Sequence, residues 1–213
     1  MKDTLLLFDL DGTLWDSAPA VADAWNEVFR RECPGLKPLT VEDIHGVMGM
    51  TMKEISLALY SDMDIPRRDE IFDICCRHEV EYLYTHCGTL YPDFRPVMET
   101  LKAEGYELAV VSNCQEGYVK AFLTSSGAAD LFLDYEEWER TGLAKGENIR
   151  LVMERNGYAK GVYIGDTKKD REAALLAKVP FIHAAYGFGT VESADGIIRS
   201  LSDLPEAISR LLG

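Results

Sequence analysis

Leu5-Leu6-Leu7-Phe8-Asp9-Leu10-Asp11-Gly12-Thr13 is the stretch that decides the fold. An unbroken apolar run ends in two aspartates one residue apart, followed by Gly-Thr. A strand buried on both faces of a parallel sheet carries such a run. In open parallel sheets the ligand crevice lies beyond the carboxyl ends of the strands. Asp9 and Asp11 therefore stand where chemistry is done. Two carboxylates converging there can hold a divalent cation, and one can attack while the other moves a proton. A strand running into an acidic turn has the same composition, because Asp and Gly are common turn residues, so the remainder of the chain has to decide.

Matching pieces lie downstream. Val110-Val111-Ser112-Asn113 is a second apolar run, ending in small polar side chains. Val162-Tyr163-Ile164-Gly165-Asp166 is a third, with Asp170 four residues on. Lys145 lies between them in Gly142-Leu143-Ala144-Lys145-Gly146. Together they place carboxylates, a hydroxyl, an amide and a cation at or near strand ends and helix starts.

The segments around these pieces set the architecture. A first strand is expected over Thr4–Asp9. Residues 16–88 then read as helices only: Ser17 is an N-cap candidate with Pro19 in the first turn, and Val21, Ala24, Trp25, Val28 and Phe29 recur at spacings of three and four. Further helices are expected from Val41, Thr51 and Pro66. From Tyr91 strand and helix alternate: helix Pro92–Ala103, strand Leu108–Val111, helix Gly117–Ser126, short strand Leu131–Leu133, helix Lys145–Asn156, strand Gly161–Ile164, helix Lys168–Ala177, strand Val179–His183 and helix Leu204–Leu211. Such alternation implies a doubly wound parallel sheet of α/β, Rossmann-like type. The expected division is a core of residues 1–15 and 91–213 with an inserted all-helical cap of residues 16–90. An insertion at that point stands over the carboxyl edge, where a lid excludes water and selects substrate.

Bulk properties narrow the function classes. The chain has 213 residues and a formal net charge of -14. So acidic a surface argues against nucleic acid as a partner, and local cations have to draw in an anionic substrate. The five cysteines, at 33, 75, 76, 87 and 114, show no CxxC spacing; reduced thiols in the cytoplasm are expected. The N-terminal apolar run is cut by Asp9, too soon for a signal peptide, and no stretch approaches the ~20 apolar residues of a membrane span.

In order and spacing, Asp9-x-Asp11-Gly12-Thr13, Ser112, Lys145 and Gly165-Asp166-x-x-x-Asp170 resemble the four motifs of the haloacid-dehalogenase-like hydrolase superfamily. The resemblance covers nearly the whole chain and points to the branch similar to phosphoglycolate phosphatase and β-phosphoglucomutase, in which a helical cap follows the first strand. It implies phosphoryl transfer with Mg²⁺, and the residues suit that chemistry. Magnesium takes oxygen ligands; Asp9 and Asp166 can each give one and the Asp11 backbone carbonyl a third. Asp9 is then the nucleophile and Asp11 the general acid and base. Ser112 and Asn113 are expected to bind the phosphoryl group, and Lys145 to neutralise charge on it and on Asp9. Asp170 supports, in the metal's outer shell or by orienting Lys145.

Asp11 disfavours dehalogenation, because the dehalogenases that this chain resembles lack the second aspartate. The cap loop Gly46-Val47-Met48-Gly49-Met50-Thr51-Met52-Lys53 lacks the arginine of the sugar-phosphate mutases. The expected partner is therefore a small phosphomonoester, with Lys53 a candidate contact for its tail, and the enzyme a monomer or weak homodimer. A mutase, or a catalytically silent phosphate-binding module, is the alternative.

Overall fold

A computed structural model describes residues 2–213. Strand β1 (Thr4–Phe8) leads through a two-residue strand, β2 (Trp15–Asp16), into four helices: α1 (Ala18–Glu32), α2 (Val41–His45), α3 (Met52–Leu59) and α4 (Ile65–Leu83). The chain returns through β3 (Thr89–Leu90) and then alternates: α5 (Phe94–Ala103), β4 (Glu107–Ser112), α6 (Tyr118–Ser125), β5 (Asp134–Glu137), α7 (Trp138–Thr141), α8 (Lys145–Arg155), β6 (Lys160–Gly165), α9 (Lys168–Ala177), β7 (Phe181–Ala184), β8 (Gly196–Ile198) and α10 (Leu204–Leu212).

The main sheet has the order β5-β4-β1-β6-β7-β8, every neighbour parallel. It is the expected α/β fold. Phe8 is in register with Val110 on one side and Ile164 on the other. Asp9, Ser112 and Asp166 therefore emerge together at one edge, where β1 has partners from opposite halves of the winding. Strand order reverses there, which opens the crevice.

Alternation within β1 serves both faces. Leu6 and Phe8 pack with residues of α5, α6 and α10, whereas Leu5 and Leu7 pack with residues of α8 and α9. All four are fully buried, so Leu6→Ala is a cavity mutation costing about 2–5 kcal/mol. The inserted helices have an apolar cluster of their own, centred on Trp25, Phe29 and Phe72. Trp25 meets Phe72 edge-on at 5.4 Å between ring centres. The insert is tied down over the strand ends by contacts that include Asn113 Nδ2 to the Gly49 carbonyl at 3.3 Å, Lys169 to Glu54 at 2.9 Å and Ser17 Oγ to Asp11 at 2.5 Å.

Several local expectations need correction. The cap of residues 16–90 is expected to be all-helical; at its two boundaries Trp15–Asp16 instead pairs with Thr89–Leu90 as an antiparallel ribbon where the chain leaves and re-enters the core. Two-residue strands carry no readable period. The strand expected at Leu131–Leu133 lies at Asp134–Glu137. Leu131 and Phe132 are buried beneath the sheet, while Arg155 pairs with the Asp134 and Glu136 carboxylates on the strand. The apolar residues fill the core and the polar ones make the ladder. Edge strand β8 and helix α7 were not anticipated, being too short to show a period.

Candidate active site

Asp9 follows the last residue of β1, and its N–H still donates to the Ile164 carbonyl at 2.8 Å. The side chain, 2 % exposed, cannot reach bulk water freely. Lys145 is the first residue of α8 and is equally buried. Its Nζ donates to Asp9 Oδ1 at 2.8 Å and to Asp170 Oδ1 at 2.6 Å. Gly146 makes that approach feasible: a Cβ there would lie 2.6 Å from the Ala173 carbonyl oxygen, so only glycine lets α8 come this close to α9. The other oxygen of Asp170 caps α9, accepting from the Thr167 N–H at 2.9 Å and the Thr167 hydroxyl at 2.6 Å. Both oxygens of Asp170 are thus engaged, and one of them orients Lys145.

Asp166 ends β6 and is fully buried. Its Oδ2 accepts from the backbone N–H groups of Phe188 at 2.7 Å and Gly189 at 3.3 Å. Its Oδ1 has no hydrogen-bond partner. Gly12, at φ +80°, sits against this carboxylate; a Cβ there would fall 2.3 Å from Asp166 Oδ2, and one on Gly187 would fall 2.4 Å from Asp166 Cβ. The Gly of the opening Asp-Gly-Thr and the Tyr186-Gly187-Phe188-Gly189 loop are therefore required by close approach to Asp166.

Asp11 has a different setting. Its Oδ1 accepts from the Ser17 hydroxyl at 2.5 Å and stands 3.0 Å from the Tyr118 hydroxyl, itself 2.7 Å from Ser17 Oγ. Ser17, expected to cap α1, makes no capping bond with its side chain and turns to Asp11 instead. Burial pushes Asp11 up to about 6, against the opposing bonds from Ser17 and Tyr118.

Electrostatics separate the carboxylates further. Burial raises Asp9, the Asp170 charge raises it more, and Lys145 opposes both. Burial likewise raises Asp166, with Asp170 and Asp9 adding repulsion. On Lys145 burial disfavours the charge, but Asp170 and Asp9 outweigh it and hold the ammonium firmly protonated. One buried cation thus faces several buried carboxylates.

A second cation fits this arrangement. Asp9, Asp166 and Asp170 each offer an oxygen, all within 4.8 Å of one another. Hard carboxylate oxygens suit Mg²⁺, and the orphaned Asp166 Oδ1 is a buried acceptor with nothing to accept from. Since Asp170 is already committed to Lys145 and to its cap, Asp9 and Asp166 are the carboxylates free to hold an ion.

Asp9 and Asp11 open into a cavity whose walls include Ser112, Asn113 and Cys114 from the core and Met50 and Met52 from the insert. Lys53, expected to reach the substrate tail, is exposed and does not line the cavity. It falls on the outward side of α3, whose inward residue Ile55 is a cavity wall. Asn113 is partly drawn off by its bond to Gly49. Sequence reasoning missed Tyr118, which reaches Asp11 from 107 residues away, and also Trp25, Glu79 and Gln115, which line the cavity. Nothing in their local sequence marks them, because α1 and α4 bring them together only in three dimensions.

A parallel α/β core thus carries an aspartate-lysine cluster at its switch point, beneath the inserted helices. The chain belongs to the haloacid dehalogenase-like hydrolase family, whose model matches residues 6–184. It is 28% identical over 193 residues to a phosphoglycolate phosphatase of Rhodobacter capsulatus, spanning 86% of this chain and 84% of the relative. It is also 29% identical over 219 residues to one of Vibrio vulnificus, spanning 96% and 95%. A solved haloacid dehalogenase-like hydrolase from Streptococcus pneumoniae superposes with a TM-score of 0.82 at 20% identity, covering 98% of this chain and 100% of that one.

Proposed function

We propose that this chain is a Mg²⁺-dependent phosphatase that hydrolyses a small phosphomonoester through an aspartyl phosphate on Asp9. It is a phosphoric monoester hydrolase, the class its phosphoglycolate phosphatase relatives belong to. The observation that carries the mechanism is the contrast between Asp9 and Asp11. The first is buried and ion-paired to Lys145 at 2.8 Å. The second, two residues on, has no cation beside it and is held by the neutral hydroxyls of Ser17 and Tyr118.

Asp9, Asp166 and the Asp11 backbone carbonyl would hold the ion, with Asp170 supporting through Lys145. Bound Mg²⁺ supplies Lewis-acid polarisation of the phosphoryl oxygens and offsets the site's negative charge. Lys145 opposes the burial and the Asp170 charge that disfavour ionised Asp9, and aims its carboxylate. Asp9 attacks phosphorus, and the bond from phosphorus to the leaving oxygen breaks. Asp11, neutral at that stage, gives its proton to the leaving oxygen. Asp11 then takes a proton from the water that attacks phosphorus, and the bond from phosphorus to Asp9 breaks. Ser112 donates to a phosphoryl oxygen.

In this reading residues 1–15 and 91–213 are the catalytic core, residues 16–90 the cap, and the β2–β3 ribbon the hinge between them. The described residues include no helix long and apolar enough to cross a membrane, and action on a small metabolite in the cytoplasm is the setting proposed.

The test is phosphate release from an aryl phosphate by the purified chain. Activity that needs Mg²⁺ and is abolished by EDTA is expected. Turnover undiminished by the chelator would overturn the metal assignment, and an absolute requirement for a sugar bisphosphate would mark a mutase.

A further inference from the structure

The cavity wall around Glu79 has a chemistry that the catalytic residues do not explain. Its walls are apolar, among them Val21, Ile44, Val47 and Ile55. Into them project Glu79 of α4 and Gln115 of the loop before α6, 4 % and 6 % exposed. Trp25 Nε1 donates to Glu79 Oε2 at 2.6 Å. Among the described residues no bond of that kind reaches Glu79 Oε1. Gln115 reaches towards the same carboxyl and interacts with it, yet its buried Nε2 makes no hydrogen bond of good geometry. A buried amide left without a well-placed acceptor is costly, so a pair of incompletely answered polar groups in an apolar wall points to a ligand group that completes them.

Three tail chemistries can be compared. A carboxylate or a second phosphate would bring a full charge into a largely apolar wall, and no lysine or arginine is among the residues lining the cavity to meet it. An ammonium could donate to Glu79 but could not accept from Gln115 Nε2. A hydroxyl does both: it donates to one group and accepts from the other. Burial also pushes Glu79 up to about 8, so near neutral pH the wall carries little standing charge to attract a cation.

We propose that Glu79 and Gln115 form a hydroxyl-recognition subsite that selects a phosphomonoester with an apolar carbon tail carrying a hydroxyl, and that discriminates against tails ending in a carboxylate or a second phosphate. The proposal rests on the phosphatase reading and deepens it by naming the substrate class. It also sets this chain apart from a catalyst for phosphoglycolate, whose tail is a carboxylate.

The experiment measures kcat/KM with Mg²⁺ for three matched series of two to six carbons: n-alkyl phosphates, ω-hydroxyalkyl phosphates and ω-carboxyalkyl phosphates. Aryl phosphate serves as the general substrate. The best hydroxyalkyl ester is expected to exceed its alkyl counterpart at least about tenfold and its carboxyalkyl counterpart by about a hundredfold or more. Glu79→Leu is expected to collapse the hydroxyalkyl-to-alkyl ratio towards one, and the isosteric Glu79→Gln to retain part of it. The wild-type comparison needs no variant, so it decides even if Glu79→Leu fails to fold. The subsite is overturned if no hydroxyalkyl ester outperforms its alkyl counterpart, if the carboxyalkyl series is preferred, or if Glu79→Leu leaves the ratio unchanged. Failure of the phosphatase reading looks different: neither the esters nor the aryl phosphate is hydrolysed, and the subsite falls with it.

Discussion

The two ends of the cavity are built on opposite plans. At the core end the charged groups are cross-braced by several bonds. Lys145 bridges Asp9 and Asp170, Thr167 pins the second Asp170 oxygen, and the backbone of the 186–189 loop pins one oxygen of Asp166. The conspicuous free atom is Asp166 Oδ1. At the cap end the walls are adaptable methionines and aliphatic side chains, with Glu79 and Gln115 incompletely partnered. Rigid, over-determined groups suit a reaction whose transition state must find its charges already in place. A soft wall with a few incompletely answered polar groups suits recognition of a tail. The comparison therefore assigns chemistry to one end and choice to the other, and each end can be broken separately.

The largest effect is expected at the core end. Asp9→Asn should lower kcat by about 10⁴-fold or more, since the nucleophile is lost, while circular dichroism shows a folded chain. Near-normal kcat in the purified variant would remove the covalent route. A smaller and more diagnostic contrast lies between Asp11 and Asp166. Asp11→Asn should cut the rate about 10²- to 10³-fold with little change in Mg²⁺ dependence. Asp166→Asn should raise the Mg²⁺ concentration for half-maximal rate at least about tenfold and be partly restored by excess metal. If excess Mg²⁺ rescues the first and not the second, the roles are reversed.

The fold and the core end were readable because they rest on local pattern. Leu5–Phe8 announces a buried strand, and Asp9, Asp11, Ser112, Lys145 and Asp166 each sit at a strand end or helix start, so parallel pairing alone brings them to one edge. The cap end was not readable. Whether Lys53 or Ile55 faces the cavity depends on how α3 is rotated against α1 and α4, and Glu79 sits in a helix whose local sequence carries no motif. Likewise Ser17 reads as an ordinary N-cap in sequence, and only the arrival of Tyr118 beside Asp11 shows why its hydroxyl is needed elsewhere. Short ladders such as β2–β3 and β8 are tertiary consequences with no period to detect.

Smaller effects sharpen the cap side. Glu79 is raised by burial from 4.5 to about 8. The folded state therefore favours its neutral form, and the stability this contributes is complete below about pH 4.5 and lost as pH rises through about 8. Glu79→Gln removes that loss. The melting temperature of the variant relative to wild type should rise by several degrees between pH 5 and pH 9; a difference that is flat or falls with pH would place the carboxyl in a wetter setting than its 4 % exposure implies. The smallest effect is expected for Lys53→Ala, which should leave KM for anionic and neutral esters within about twofold. A selective rise in KM for the anionic ester would return Lys53 to the substrate path.

The central claim is that Asp9 carries the phosphoryl group while Asp11 moves the protons. The direct measurement uses Asp11→Asn with an aryl phosphate, whose leaving group needs no proton, so that formation of the intermediate outpaces its hydrolysis. Rapid quenching, reduction of any acyl phosphate with borohydride and peptide mass spectrometry then locate the modified residue. The account predicts homoserine at position 9 alone, in an amount that tracks the burst of aryl alcohol. A burst with the reduced residue elsewhere, or steady turnover without any reduced residue, would contradict it.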